Sequence, residues 1–199
     1  MKKLGRSRFN VKILVLNNKS ETLKELLGML ESFKVAYDVR QPMENLNLKA
    51  YDGLIISGGI IPGKTRRERL EWYCRLYGFA EIPVLAICLG LRILGYCHGC
   101  RMKRLSPSEI GLTWIRFFRE YPLAPGKSEL LVYENHDYEL LDLKGPFENY
   151  ASSETCKIQA VKHRFKPFFA VQFHPEVGEG NEGPLIIENF VKLCKRLTS

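Results

Sequence analysis

A cysteine at the end of one apolar run, and a histidine two residues ahead of a glutamate at the end of another, are the residues best suited to chemistry. Pro83-Val84-Leu85-Ala86-Ile87 leads directly into Cys88, and Leu89-Gly90-Leu91-Arg92-Ile93-Leu94 follows with helical character. A strand that turns sharply into a helix lifts the side chain at the bend clear of the sheet and aims the helix N-terminus at it. That partial positive charge favours the thiolate, which is the nucleophilic form of cysteine. Gly90 keeps the turn uncrowded, so a substrate can approach closely. A free cysteine is more often a buried, inert thiol, and the bend alone does not separate the two readings.

The later run shifts the balance. Ala170-Val171-Gln172-Phe173 ends in His174-Pro175-Glu176. Pro175 biases His174 towards an extended backbone, in which positions two apart point to the same side. The Glu176 carboxylate is therefore predicted beside the His174 imidazole, as orienter to base. With Cys88 these make a Cys–His–Glu triad for acyl transfer. Ser57-Gly58-Gly59 closes a third apolar run and can turn backbone N–H groups inward. With the N–H of Leu89 they could hold the oxyanion formed when sulfur attacks an amide carbon, each donor lowering the barrier by about 3 kcal/mol. Taken alone, the two glycines read equally well as a plain tight turn.

The elements that must position these groups alternate along the first half. Val11–Leu16, Val35–Arg40, Asp52–Ser57 and Pro83–Ile87 read as strands. Ser20–Phe33 reads as a helix with Leu23, Leu26, Leu27 and Leu30 on one face and Ser20 as its N-cap. A second helix spans about 65–77. The alternation predicts a flavodoxin-like α/β fold: an open, mostly parallel twisted sheet with helices on both faces. The second half adds short extended runs at Leu112–Phe118, Glu129–Glu134, Ile158–Lys162 and Phe168–Phe173, a small antiparallel β extension, and a closing helix over Leu185–Leu197. Gly58-Gly59, Cys88 and His174 all fall at carboxyl ends of strands, where open α/β sheets collect their chemistry.

Composition bounds the setting. With 199 residues the chain suits one domain, 1–199, with 1–9 as a basic N-terminal tail. No apolar run approaches the roughly 18 residues that span a bilayer, so no membrane partner is expected. The +8 formal charge is spread over scattered basic residues, which describes a solvated surface rather than a nucleic-acid footprint. Six cysteines without a secretory leader predict a reducing, cytoplasmic setting and mostly free thiols. Cys97-His98-Gly99-Cys100 has metal-ligand or redox spacing, but a zinc site takes about four ligands and no second Cys/His pair stands nearby. Structural thiols are expected, with a local disulfide as the alternative and no metal. Gly178-Glu179-Gly180-Asn181-Glu182-Gly183 matches a dinucleotide-binding pattern without a following βαβ strand, so it reads as a loop.

Three segments carry a resemblance. Asp52-Gly53-Leu54-Ile55-Ile56-Ser57-Gly58-Gly59, Ile87-Cys88-Leu89-Gly90, and Val171-Gln172-Phe173-His174-Pro175-Glu176-Val177 resemble the signature segments of class I (triad-type) glutamine amidotransferases. The tail from Ser153 to Phe190 is most similar to the stand-alone amidotransferase subunits of archaeal GMP synthases. The resemblance implies that Cys88 attacks the side-chain amide of glutamine while Gly59 and Leu89 hold the oxyanion. It implies that His174, oriented by Glu176, protonates the departing ammonia and then activates water, with no cofactor. It also implies a synthetase partner, such as an ATP-pyrophosphatase subunit, that receives the ammonia.

The sequence departs from the family pattern at four places. Arg92 stands where a substrate-seating Gln is usual, Ile60 where Pro is usual, and Ala86 where Gly is common. Asn135-His136-Asp137-Tyr138 replaces Ser-His-x-Asp in the loop expected to contact the substrate head group. Gly58, Arg92, His136 and Asp137 are therefore the expected substrate-binding residues. Arg92 and Asp137 either form a compensating pair or read an altered head group, as Arg suits a carboxylate and Asp an amine. Alternatively Arg92 points away and leaves the pocket loosened. Two other functions stay open: a stand-alone hydrolase of a γ-glutamyl compound, and a non-catalytic regulatory subunit that kept the fold.

Overall fold

Apolar runs buried on both faces pair as parallel strands. In the computed structural model, which describes residues 11–198, these are β1 (Lys12–Asn18), β3 (Gly53–Gly59), β4 (Val84–Ile87) and, from the far end of the chain, β9 (Phe168–Val171), with the half-exposed β2 (Ala36–Arg40) pairing parallel at the edge. The basic tail 1–9 lies outside the described residues. Four further strands, β5 (Met102–Phe117), β6 (Glu129–Leu140), β7 (Phe147–Ser152) and β8 (Ala160–His163), extend the same sheet with antiparallel pairing. The nine-stranded order is β2-β1-β3-β4-β9-β8-β7-β5-β6.

Alternation along the parallel strands divides the core between the two faces of the sheet. Ile13, Val15, Ile55, Leu85 and Ile87 pack with Leu26 and Leu30 of α1 (Leu23–Ser32) and with Ile186, Ile187 and Phe190 of α4 (Pro184–Thr198). Leu14, Leu16, Leu54, Ile56, Val84 and Ala86 pack with Leu70 and Tyr73 of α2 (Arg66–Phe79) and with Leu91 and Leu94 of α3 (Leu89–Cys97). Each such side chain, fully buried, contributes about 1.5–3 kcal/mol to holding the layers together. No helix among the described residues is long and apolar enough to cross a membrane.

Four local expectations are corrected. The hairpin is longer than the extended runs suggested: β5 begins at Met102 opposite Leu140, and pairing continues to Arg116 opposite Glu129. Its first half has mostly exposed side chains, so no apolar period marks it. Strand β7 lay between the expected runs. Helix α1 starts at Leu23, and Ser20 does not cap it, because its hydroxyl pairs with that of Thr22 at 3.0 Å. Cys97 is not a free thiol and does not pair with Cys100. Packing of α2 on α3 brings it to Cys74, with Cα atoms 5.0 Å apart, and the two form a disulfide. Cys88, Cys100, Cys156 and Cys194 are free. The glycine-rich 178–183 segment is a loop leading into α4.

Candidate active site

Cys88 occupies the bend between β4 and α3 with φ 48° and ψ −99°, a left-handed conformation that costs a residue with a Cβ about 1–3 kcal/mol. The strain is held by its surroundings. The Cys88 N–H bonds the Val171 carbonyl at 2.8 Å, and its own carbonyl starts α3 by accepting from Arg92 N–H at 3.2 Å. Gly90 lets α3 lie close on β3, since a Cβ there would come within 3.0 Å of the Ile56 carbonyl oxygen. The sulfur thus stands at the carboxyl end of the parallel sheet, on the wall of a cavity of about 620 Å³.

His174 faces the sulfur across this cavity. Its Nδ1 donates to Glu176 Oε1 at 2.8 Å, which leaves Nε2 as the nitrogen available to Cys88. Burial by itself would raise the Cys88 pKa. The hydrogen bond to His174, together with the charges of His174, Arg92 and His136, outweighs that and holds it below the ordinary thiol value. Burial likewise disfavours the His174 cation, yet bonding to Cys88 and Glu176 holds its pKa well above the usual histidine range. Both shifts run towards the charged forms, thiolate and imidazolium, as expected where each stabilises the other.

Glu176 reaches His174 by a route other than the one expected. The chain is not extended there. It turns at Pro175 and Glu176, with Val177 N–H bonded to the His174 carbonyl at 3.3 Å. Proline presets the backbone for the second position of a turn, and the turn folds the carboxylate back onto the ring.

Thr22, which carries no motif signal, completes the arrangement. Its hydroxyl donates to Glu176 Oε1 at 2.6 Å and lies 3.4 Å from His174 Nδ1. Thr22→Val removes one bond to a charged acceptor, worth about 1.5 kcal/mol, so kcat should fall roughly tenfold with KM little changed. Steady-state hydrolysis measures it, and an unaltered kcat would show that Glu176 holds the ring without help.

The other expected site residues separate. Gly58 lies directly under Cys88 and His174: a Cβ there would sit 2.7 Å from His174 Cε1 and 3.6 Å from Cys88 Cβ. Gly59 and Leu89 both border the cavity beside the sulfur. Arg92 does not point away. Its Nη2 is 3.8 Å from Cys88 Sγ, its guanidinium lies 6.0 Å from the Tyr138 ring centroid, and its Nε is buried without a hydrogen-bond partner. It forms no ion pair with Asp137, whose Oδ1 instead accepts from Ser108 Oγ at 2.6 Å. Asp137 still lines the cavity mouth. His136 borders the cavity but turns its Nε2 away, towards Glu109 and Glu134.

Several groups near the sulfur had no sequence signal. Gln172 Nε2 lies 3.7 Å and the Asn135 carbonyl 3.8 Å from Cys88 Sγ. Glu109 and Glu134 sit on β5 and β6 among surface-type residues, and only strand register turns them inward. Thr22 could have been suspected from its place in the loop that follows the first strand, at the same edge as Cys88.

Comparison with known proteins agrees with this geometry. Residues 14–194 match the family model described as glutamine amidotransferase class-I. The chain is 30% identical over 188 residues to a glutamine-hydrolyzing GMP synthase subunit of Thermoplasma volcanium, covering 94% of this chain and 93% of the relative. The corresponding GMP synthase subunit of Pyrococcus abyssi is 35% identical over 157 residues, 78% of this chain and 82% of that protein. Among solved structures, one described as a GMP synthase subunit from Thermoplasma acidophilum superposes with TM-score 0.85 at 28% identity, covering 94% and 95% of the two chains. A glutamine amidotransferase from Thermotoga maritima shares the fold, with TM-score 0.73 at 20% identity over 94% of this chain and 83% of that one. A strained cysteine elbow facing a carboxylate-held histidine, on a sheet shared with these proteins and under a family model spanning almost the whole chain, places this protein in the class I glutamine amidotransferase family.

Proposed function

We propose that this chain is a cytoplasmic glutaminase subunit that hydrolyses glutamine to glutamate and passes the ammonia to a synthetase partner, as a GMP synthase does. The observation that carries this reading is the Cys88 sulfur on the cavity wall beside an imidazole that Glu176 holds through Nδ1, the two side chains meeting over Gly58. The thiolate attacks the side-chain amide carbon, forming a C–S bond, and the carbonyl electrons move onto oxygen. The N–H groups of Gly59 and Leu89 stabilise that charge; the first N–H groups of a helix have no partner within it, and Leu89 opens α3. Collapse of the intermediate breaks the C–N bond as His174 gives its proton to the leaving nitrogen. A water then loses a proton to His174, attacks the thioester, and releases glutamate and the thiolate.

Glutamate formation is measured for the chain alone and with an ATP-pyrophosphatase partner, ATP and XMP. Turnover that rises with the partner supports the reading. Absence of turnover in every combination, together with failure of a glutamine-analogue label to modify Cys88, would overturn it.

Arg92 favours a second reading of the substrate. A guanidinium next to the sulfur, its Nε unpartnered, suits a carboxylate through its planar fork, either the α-carboxylate of glutamine itself or that of a bulkier γ-glutamyl compound. A charged hydrogen bond of this kind is worth about 1.5–3 kcal/mol. Arg92→Gln should therefore raise KM roughly ten- to a hundredfold with kcat held. Comparing glutamine with γ-glutamyl amides across both proteins separates the two carboxylates; an unchanged KM for every substrate would remove Arg92 from recognition.

A further inference from the structure

Behind the cavity lies a buried charge cluster that the catalytic steps above leave unused. His136 Nε2 stands 3.0 Å from Glu109 Oε2 and 3.2 Å from Glu134 Oε2, and all three side chains are almost fully enclosed. Register builds the cluster. Glu109 on β5 is the cross-strand partner of His136 on β6, and Glu134 lies two residues away on the same face. The other ring nitrogen, Nδ1, lies 3.0 Å from the Tyr138 carbonyl. Nε2 lies within ion-pair distance of both carboxylates without hydrogen-bond alignment to either, so the attraction is that of a charged ring for two anions. Two carboxylates packed this closely need that cation between them, because burying either one unpaired costs several kcal/mol.

The anchoring around the cluster is extensive. Thr155 and Ser153 hydroxyls donate to Glu109 Oε1, the latter at 3.3 Å. The 153–156 turn that carries them is closed by Cys156 N–H to Ser153 Oγ at 3.0 Å. Burial pulls the His136 pKa down, but its bonds to Glu109 and Glu134 push it up to about 9. Burial also pushes Glu134 above the usual carboxylate range, whereas bonds to His136, Thr155 and Ser153 hold Glu109 below it. Glu109 is thus the firmer of the two counter-charges. The neighbouring Cys156 thiol is pushed far up by burial and stays neutral.

His136 connects this cluster to the nucleophile. The residue before it, Asn135, places its carbonyl 3.8 Å from Cys88 Sγ, and Tyr138, whose carbonyl the ring holds, lies under Arg92. The charged groups facing Cys88 are His174 from the turn after β9, Arg92 from α3 and His136 from β6. Those facing His136 are Glu109 from β5 and Glu134 from its own strand, with Cys156 beside them.

We propose that His136, clamped between Glu109 and Glu134, is a positioning residue for the nucleophile: it anchors the Asn135–Tyr138 segment beside Cys88 and supplies a fixed positive charge that helps keep the sulfur ionised. The inference rests on Cys88 being the nucleophile, but not on which amide it attacks. The test therefore reads the sulfur directly. The rate of Cys88 alkylation by iodoacetamide, followed by peptide mass, is measured from about pH 5 to 10 in the wild type, His136→Gln and Glu109→Gln, with folding checked by thermal melts.

Removing a cation from beside a thiolate raises its pKa, so the alkylation midpoint should move upward. Expected is a rise of about half to one pH unit in His136→Gln, seen as a three- to tenfold slower reaction below the midpoint. Glu109→Gln removes an anion from the same cluster and, with the imidazolium still held by Glu134, should move the midpoint the opposite way by less. A cluster that only stiffens the fold would lower the melting temperature and leave the midpoint in place. Midpoints that coincide with wild type overturn the proposal; if His136→Gln does not fold, Glu109→Gln decides it alone. Shifted midpoints together with a wild type that turns over no glutamine would count against the substrate reading and leave this proposal standing.

Discussion

Cys88→Ala should abolish glutamine hydrolysis, with kcat falling about 10⁴- to 10⁶-fold, or about 5–8 kcal/mol of barrier. Among the described residues no second thiol lines the cavity to take over the attack. Cys100, Cys156 and Cys194 are buried away from the cavity, and the side-chain nitrogens of Arg92 and Gln172 donate to the sulfur rather than replace it. The substitution keeps the backbone conformation at φ 48° without adding a new clash, so the melting temperature should stay within a few degrees. Glutamate formation and covalent labelling by a glutamine analogue are the two measurements. Either one persisting in folded Cys88→Ala protein would remove the sulfur from the chemistry.

Gly59→Ala should damage stability and rate together. Gly59 has φ 120°, and a Cβ built on it would overlap the Asn18 carbonyl oxygen while lying 2.8 Å from the Asn18 carbonyl carbon and 2.9 Å from the Ser20 nitrogen. These are backbone atoms at the end of β1, so no side chain can swing aside. The ends of β1 and β3 must move apart, at a cost of about 3 kcal/mol or more from strain and lost pairing. For a chain of this size that lowers the melting temperature by about 6–12 °C. The same shift withdraws an N–H from the place proposed for the oxyanion, which should reduce kcat a further 10²- to 10³-fold. Gly63→Ala is the control, because a Cβ there meets nothing within 4 Å. A Gly59→Ala protein as stable and active as that control would disprove both the packing account and the oxyanion role.

The loss of the usual Gln at position 92 and the Asp137 substitution do not act as a pair. Arg92 is drawn to the sulfur by charge and to Tyr138 by its ring, while Asp137 is occupied by Ser108 on the neighbouring strand. The two residues therefore face the cavity separately, Arg92 on the side where the sulfur sits.

What could be read from the residues alone was local. Apolar runs buried on both faces announce parallel strands whatever lies beyond them, and a cysteine or a His-x-Glu placed where such a run stops is visible without knowing its neighbours. The parallel half of the sheet, the elbow at Cys88 and the His174–Glu176 partnership were legible for that reason. The path from His174 to Glu176 was misread, since Pro175 restricts the residue before it to extended backbone but also suits the second position of a turn, and the turn is what forms. The hairpin β5–β6 hid because half of it faces water on both sides and shows no period. Thr22, Gln172, Glu109 and Glu134 come from four separate stretches, and the Cys74–Cys97 bond joins cysteines 23 residues apart on two helices. Contacts of this kind depend on register and layer packing, which sum over the whole core, and no short window of residues contains that sum.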